Sequence, residues 1–163
     1  MRIKIIDTER CVGCQSCMFA CSRRHNEAGL SKTCIMVRSV GGMERGFTVI
    51  VCRACEDPPC ARVCPTKALE VRKGGGVRLD ESKCIGCLMC IISCPFGAID
   101  LDTINQVVVK CTGCYELRES GLRPACEAMC PAEAIYFGVP DEIFDKIRRK
   151  LAEKMAFDHS REK

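Results

Sequence analysis

Short apolar stretches alternate with turns along the whole chain, and none is long enough to build a large sheet. Brief runs rich in Val, Ile, Leu and Phe are typical of short strands. They predict strands over residues 2–6, 47–51, 68–71, 77–79, 98–101, 107–109 and 134–137. Turn residues at 73–76 and at Asn105 separate two pairs of these strands, so each pair is expected to form a hairpin. Short helices are expected over residues 18–24, 59–63, 88–93 and 125–129.

The C-terminal segment shows a longer helical pattern. It begins at Pro140, a residue suited to the first turn of a helix. Acidic residues lie near its start and basic residues follow, as the helix dipole favours. Apolar residues recur on one face, at Ile143, Phe144, Ile147, Leu151 and Met155. The pattern predicts an amphipathic helix that packs on this protein or on a partner subunit.

The chain contains 17 cysteines, and all except Cys34 fall into four runs of four. The runs are Cys11, Cys14, Cys17, Cys21; Cys52, Cys55, Cys60, Cys64; Cys84, Cys87, Cys90, Cys94; and Cys111, Cys114, Cys126, Cys130. The first and third read C-x2-C-x2-C-x3-C, the spacing of bacterial cubane iron–sulfur sites. The second and fourth differ only in the gap before their third cysteine. Four complete runs predict four [4Fe-4S] clusters.

Glycine and proline stand at matching places in the runs. The residue before the second cysteine is glycine in three of them: Gly13, Gly86 and Gly113. Glycine permits positive φ and lets the backbone approach a cluster closely, so the second run, with Ala54 there, is expected to form a somewhat different loop. The residue after the last cysteine is proline in three: Pro65, Pro95 and Pro131. Proline ends the loop, so the last cysteine is expected to reach a second cluster. The spacing alone does not show which two runs share a cluster.

Zinc sites and disulfides are the competing interpretations of the cysteines. Zinc sites use C-x2-C pairs but not three cysteines on one short loop with a fourth before proline. A secreted disulfide scaffold would carry an even number of cysteines and a signal peptide, and neither is found here. The pattern favours a metal protein of a reducing compartment, and we expect a cytoplasmic location. Cys34 is interpreted as a small buried apolar side chain. The alternative is a redox-active residue or a substitute cluster ligand.

The formal net charge of +4 counts every cysteine as neutral. An oxidised cluster with four thiolates carries about −2, so four clusters bring the holoprotein to roughly −4. The basic residues are therefore no sign of nucleic-acid binding. A basic residue directly precedes three of the runs, at Arg10, Lys83 and Lys110. A cation at this position would raise the reduction potential of the cluster. An ordinary surface residue is an equally good interpretation. No apolar stretch reaches the length of a membrane span.

A unit of cluster loop, short helix and strand or hairpin repeats four times. Two such units make one two-cluster domain, so the chain is predicted to be an α+β protein with two of them. Residues 22–46 and 115–125 are inserts relative to this unit, and each is either a partner contact or a solvated loop. The chain has no tryptophan and few aromatic residues, so the clusters are expected to complete the core.

The chain resembles the four-cluster iron–sulfur subunits of the dimethyl sulfoxide reductase and formate dehydrogenase type, over about residues 3–138. The second run is the most specific match, with C-R-A-C-E-D-P-P-C-A-R-V-C-P over residues 52–65. Residues 11–17, with S-R-R at 22–24, look closest to small subunits paired with tungsten-dependent aldehyde:ferredoxin oxidoreductases.

The resemblance implies that the outer runs share two clusters and the inner runs share the other two. The implied ligand sets are Cys11, Cys14, Cys17, Cys130; Cys111, Cys114, Cys126, Cys21; Cys52, Cys55, Cys60, Cys94; and Cys84, Cys87, Cys90, Cys64. An inner ferredoxin-like domain, residues 47–101, would then be inserted into an outer one, residues 1–46 and 102–139. The C-terminal helix and tail would occupy residues 140–163.

The resemblance also implies an electron-transfer subunit that is no enzyme by itself. Its expected partners are a catalytic oxidoreductase subunit, with a tungsten- or molybdenum-pterin enzyme favoured, and a ferredoxin or flavin subunit that exchanges electrons with it. The alternatives are an electron-transfer subunit of a hydrogenase or carbon monoxide dehydrogenase, and a freely diffusing polyferredoxin.

Overall fold

The computed structural model of the protein describes residues 2–30, 32–39, 41, 46–73 and 75–161. Its strands are β1 Ile3–Ile6, β2 Ile35–Ser39, β3 Phe47–Val51, β4 Leu69–Val71, β5 Val77–Leu79, β6 Ile99–Asp102, β7 Val107–Lys110 and β8 Ile135–Gly138. Its helices are α1 Ser16–Arg24, α2 Pro59–Arg62, α3 Met89–Ser93, α4 Tyr115–Glu119, α5 Ala125–Ala128 and α6 Pro140–Arg161. A 3-10 turn covers Glu81–Lys83.

The strands of the described part pair into two-stranded antiparallel sheets: β1 with β8, β2 with β3, β4 with β5, and β6 with β7. The last two pairs are the predicted hairpins; in the turn of the first, Gly74 lies outside the described residues. β1 and β8 are far apart in the sequence, yet they align from Ile3–Gly138 to Ile6–Ile135. The protein is therefore a small α+β fold, as predicted.

Two elements lie in the stretches that the sequence marks as inserts. β2 occupies part of the first insert, with Ile35 and Val37 buried and its register fixed by β3. α4 occupies part of the second. β2 takes its register from its hairpin partner β3, and α4 is little more than one turn. The described residues of both inserts thus include regular structure.

Buried apolar side chains form two cores, and cysteines belong to both. The first contains Met18, Val49, Val51 and Ile135 together with Cys17, Cys21, Cys34 and Cys126. The second contains Leu69, Val77, Ile99 and Val108 together with Cys60 and Cys90. α1 packs on α5 beside the first core, and α2 packs on α3 beside the second. Thiol sulfurs therefore occupy positions that large apolar side chains fill in most small domains.

The C-terminal helix α6 contacts the body of the protein at Ile143 in its first turn and again at Lys150, which pairs with Glu133 and lies 5.2 Å from the Tyr136 ring. Ile143 is 2 % exposed, and the helix packs on β8 there. Farther along the predicted apolar face, Leu151 is 55 % exposed and Met155 is 72 % exposed. The helix begins at Pro140 as predicted, but most of its apolar face stays open. Within the described residues, no helix has both the length and the apolar character that a membrane span requires.

This difference along one helix predicts two unequal effects on stability. Ile143→Ala should lower the free energy of unfolding by about 2–4 kcal/mol, because it leaves a cavity under α6. Met155→Ala, on the exposed part of the same helix, should change it by less than about 0.5 kcal/mol. Anaerobic denaturant unfolding of the cluster-loaded protein measures both. Equal effects would contradict the packing described here.

Candidate metal centres

Each cysteine run lies on a loop that leads into a short helix. The third cysteine of each run is on the helix that follows, Cys17 on α1, Cys60 on α2, Cys90 on α3 and Cys126 on α5. All of these third cysteines are buried. The earlier cysteines of a run are less covered, and Cys14 and Cys87 are exposed. The sulfurs of each run thus extend from the less buried loop to the buried helix that follows it.

The residue before the second cysteine has a left-handed backbone in every run. Gly13 has φ of 70° and Gly86 has φ of 64°. A Cβ at Gly13 would lie 2.4 Å from the Phe47 ring, and one at Gly86 would lie 2.6 Å from a backbone oxygen. Ala54 adopts φ of 57°, so the second run has the same turn at this residue, and the expectation of a different loop was wrong there. The predicted positive φ is confirmed at all three glycines, including Gly113.

Two cavities are each lined by four cysteines, three from one inner run and one from the other. One is lined by Cys52, Cys55, Cys60 and Cys94, with Pro95 beside them. The other is lined by Cys64, Cys84, Cys87 and Cys90. They contain about 360 and 310 Å³ of space between protein atoms, part of it open to solvent. Four soft thiol donors around one space form a donor set suited to an iron–sulfur cluster.

Sulfurs of the first and fourth runs lie close enough to influence one another. Burial raises the pKa of Cys17 to about 11, and the charge of Cys130 adds to the effect. Burial raises the pKa of Cys126 to about 12, and Cys111, Cys114 and Cys21 add to it. Like charges act over short distances inside a protein. Cys21 of the first run therefore lies near cysteines of the fourth run, and Cys130 of the fourth run lies near Cys17 of the first.

Backbone N–H groups point at several of these sulfurs. Gly113 N–H donates to Cys111 Sγ, and Ala134 N–H donates to Cys130 Sγ, both at 3.3 Å. Cys34 N–H donates to Cys21 Sγ, also at 3.3 Å. Such bonds stabilise the thiolate form of the sulfur and raise the potential of an attached cluster. No pattern in the sequence predicts them, because they depend on loop geometry.

Cys34 is buried, as the favoured interpretation predicts, but it also contacts a cysteine of the first run. Its Sγ lies 3.7 Å from His25 Nε2. The ligand atoms of Cys21, His25 and Cys34 all lie within 4.8 Å of one another. The hydrogen bond from the Cys34 thiol is the main cause that lowers the pKa of Cys21, to about 4. Cys34 therefore donates hydrogen bonds to the Cys21 sulfur, in addition to filling space in the first core.

The cations that precede three of the runs differ in their surroundings. Lys110 is buried and donates to Cys52 Sγ at 3.2 Å. Lys83 is half-exposed and pairs with Glu70 and Asp80. Arg10 donates to the Tyr136 hydroxyl at 3.4 Å. Of these three, Lys110 is the one whose described hydrogen bonds include a cysteine sulfur.

The cysteines are all described, and none forms a disulfide. A family profile described as a 4Fe-4S dicluster domain matches residues 43–140, more than half of the chain. This region contains the second, third and fourth runs. The profile match supports the cluster type that the spacing predicts.

Similar proteins extend the match to the first run. The thiosulfate reductase electron transfer subunit of Salmonella typhi is 34% identical over 162 residues, covering 95% of this chain and 83% of that protein. The B subunit of the anaerobic dimethyl sulfoxide reductase of Escherichia coli is 35% identical, covering 86% and 75%. The B subunit of the polysulfide reductase of Wolinella succinogenes is 35% identical, covering 92% and 82%. Identity at this level over most of both proteins shows the family. The chain therefore belongs to the iron–sulfur electron-transfer subunits of the dimethyl sulfoxide reductase type and carries four [4Fe-4S] clusters.

Proposed function

We propose that this subunit relays single electrons between a tungsten- or molybdenum-pterin catalytic subunit and a second redox partner, a ferredoxin or a flavin subunit. The relatives are named as subunits of reductases, which supports a catalytic partner. The resemblance of residues 11–17 and 22–24 to tungsten-enzyme subunits supports the tungsten variant. When bound, each cluster supplies a one-electron site, and the protein residues hold it and tune its potential.

The proposed ligand sets cross between runs. Each set has three cysteines of one run and the last cysteine of another. They are Cys11, Cys14, Cys17, Cys130; Cys111, Cys114, Cys126, Cys21; Cys52, Cys55, Cys60, Cys94; and Cys84, Cys87, Cys90, Cys64. The observation that carries the proposal is the pair of four-cysteine cavities, because their linings are the two inner sets. The charge effects among the sulfurs of the outer runs support the two outer sets.

We propose with it that an inner domain is inserted into an outer one. The pairing of β1 with β8 and the packing of α1 on α5 support an outer domain made of both ends of the chain. The packing of α2 on α3 supports an inner domain between them. β3 pairs with β2, and its buried Val49 and Val51 belong to the first core. The boundary therefore fits better just after Val51 than just before Phe47.

The glycines and prolines of the runs are part of the proposed cluster environment. The loops that present the sulfurs have left-handed turns at Gly13, Gly86 and Gly113, which curve the backbone directly before the second cysteine. Pro95 lines a four-cysteine cavity beside Cys94, whereas the lining of the cavity at Cys64 does not include Pro65. We propose that Pro65 and Pro131 act by ending the loops after Cys64 and Cys130. Seventeen cysteines without a disulfide suit a reducing compartment, so we propose a cytoplasmic location.

Metal analysis of the complex purified anaerobically from its native source tests the proposal. The expected result is about sixteen iron atoms per chain, after subtraction of the partner's iron, together with tungsten or molybdenum. Nickel in place of these metals would point to a hydrogenase or a carbon monoxide dehydrogenase. An iron-loaded chain that purifies without a partner would be a free carrier. Zinc without iron would overturn the proposed electron transfer.

A further inference from the structure

Two lysine side chains lie buried between an outer and an inner cysteine set. Lys4 on β1 and Lys110 at the end of β7 are each 4 % exposed. Lys4 Nζ donates to Cys111 Sγ at 3.5 Å, and Lys110 Nζ donates to Cys52 Sγ at 3.2 Å. Lys110 Nζ also donates to the backbone oxygen of Cys111 at 3.4 Å. Cys111 belongs to an outer set and Cys52 to an inner set, so Lys110 touches both.

Sulfurs of the two sets surround both ammonium groups. Burying an ammonium group is costly unless negative groups lie around it. Lysine is protonated at neutral pH in water. At the buried positions of Lys4 and Lys110, the neighbouring sulfurs of Cys111 and Cys52, negative as cluster thiolates, favour this charged form.

We propose that Lys4 and Lys110 form a buried cationic pair that raises the reduction potentials of the two clusters held through Cys111 and Cys52. This inference rests on the ligand sets proposed above. A reduced cluster is one charge more negative than an oxidised one, and a fixed positive charge stabilises the more negative state. The effect is strong at short range in a medium of low polarity.

The position of the pair has a second effect. Two neighbouring clusters with their thiolates are both negative, so an electron on one repels an electron arriving at the other. A positive pair between them weakens this repulsion. Lys4 and Lys110 therefore ease the transfer step between the outer and the inner domain, which every electron must make if it crosses the whole protein.

Lys83 offers a matched control. It directly precedes Cys84, as Lys110 directly precedes Cys111. Its side chain is 47 % exposed and is paired with Glu70 and Asp80. Water and salt screen an exposed charge of this kind. Removing it should leave the cluster potentials close to those of the native protein.

The test compares Lys4→Met, Lys110→Met and Lys83→Met in the anaerobically purified, cluster-loaded protein. Redox titration followed by electron paramagnetic resonance measures the cluster potentials. In Lys4→Met and Lys110→Met, two of the cluster potentials should fall. At a fixed potential, the ratio of reduced to oxidised cluster should drop about tenfold, which corresponds to a fall of about 59 mV for one electron. The other potentials and those of Lys83→Met should stay near the native values. Unchanged potentials at native iron content, or an equal fall in Lys83→Met, would overturn the inference.

Charge-preserving variants keep the test decisive if a Met variant loses iron. Lys4→Arg and Lys110→Arg should retain both the iron and potentials near the native values. Loss of iron in the Met variant with retention in the Arg variant supports a requirement for charge. Loss in both would overturn the inference, because the site would then require the shape of lysine rather than its charge. A native protein without iron would overturn the proposed function instead.

Discussion

Cys94→Ala should release the cluster of the second run, although Cys94 itself belongs to the third. In the proposed sets, Cys94 completes the group of Cys52, Cys55 and Cys60, which line one cavity with it. A cubane that loses one thiolate ligand has one iron open to solvent, and it releases that iron or degrades entirely. Iron should fall by about one to four atoms per chain, and electron transfer through the protein should drop by orders of magnitude.

Alkylation of the folded variant under anaerobic conditions, followed by mass spectrometry, identifies which cluster is lost. Cys52, Cys55 and Cys60 should become reactive, while Cys84, Cys87 and Cys90 remain protected. Cys64→Ala is the mirror-image variant and should give the opposite pattern. Cys34→Ala should keep all the iron, since Cys34 stands outside the four runs. Labelling of the third run in Cys94→Ala would show that each run holds its own cluster, contrary to the crossed sets.

Removal of the iron should unfold the protein. Both cores include cysteines, and Lys4 and Lys110 would be left buried without the negative charge that surrounds them. Structural metal sites supply about 10–16 kcal/mol of folding free energy in zinc-binding peptides, and whole domains are stable by about 5–15 kcal/mol. Loss of four clusters therefore exceeds any stability that the remaining contacts provide. Circular dichroism and hydrogen exchange, measured after anaerobic treatment with oxidant and chelator, should show loss of protection throughout.

Reconstitution supplies the control for this experiment. Iron and sulfide together should restore the native spectrum and the exchange protection, whereas zinc alone should not restore both. Buried amides such as those of Val51 and Val77 are the most informative probes, one in each core. Native protection at these amides in the iron-free protein would contradict the role given to the clusters.

Features with local causes could be predicted from the sequence. β3 and β5 have the predicted ends, and α6 begins at Pro140, because alternation, turn residues and helix-start residues act within a few positions. The cysteine spacing predicted the loops for a related reason. Short gaps between cysteines, with a left-handed residue before the second one, let a loop place several sulfurs around one cluster.

Features that depend on distant contacts could not be predicted. Lys4 looks like an ordinary strand residue, and its contact with Cys111 joins positions 107 residues apart. The hydrogen bond from Cys34 to Cys21 depends on how the chain before β2 packs on α1. The apolar face of α6 was predicted correctly, but the sequence does not say where the helix leaves the body of the protein. Ile143 packs on β8 whereas Leu151 and Met155 stay exposed, so the same pattern yields one buried residue and several exposed ones.

The pairing of β1 with β8 also constrains how the protein is made. A ribosome releases Ile3–Ile6 first, yet this strand has no partner until Ile135–Gly138 has emerged. The hairpins β4–β5 and β6–β7, with the cysteines near them, are complete well before that. Contacts between distant residues form slowly, because a long loop must close before they do. The middle of the protein can therefore mature during synthesis, while the cysteines of the first run stay exposed to oxygen and to other metal ions until β8 has been made.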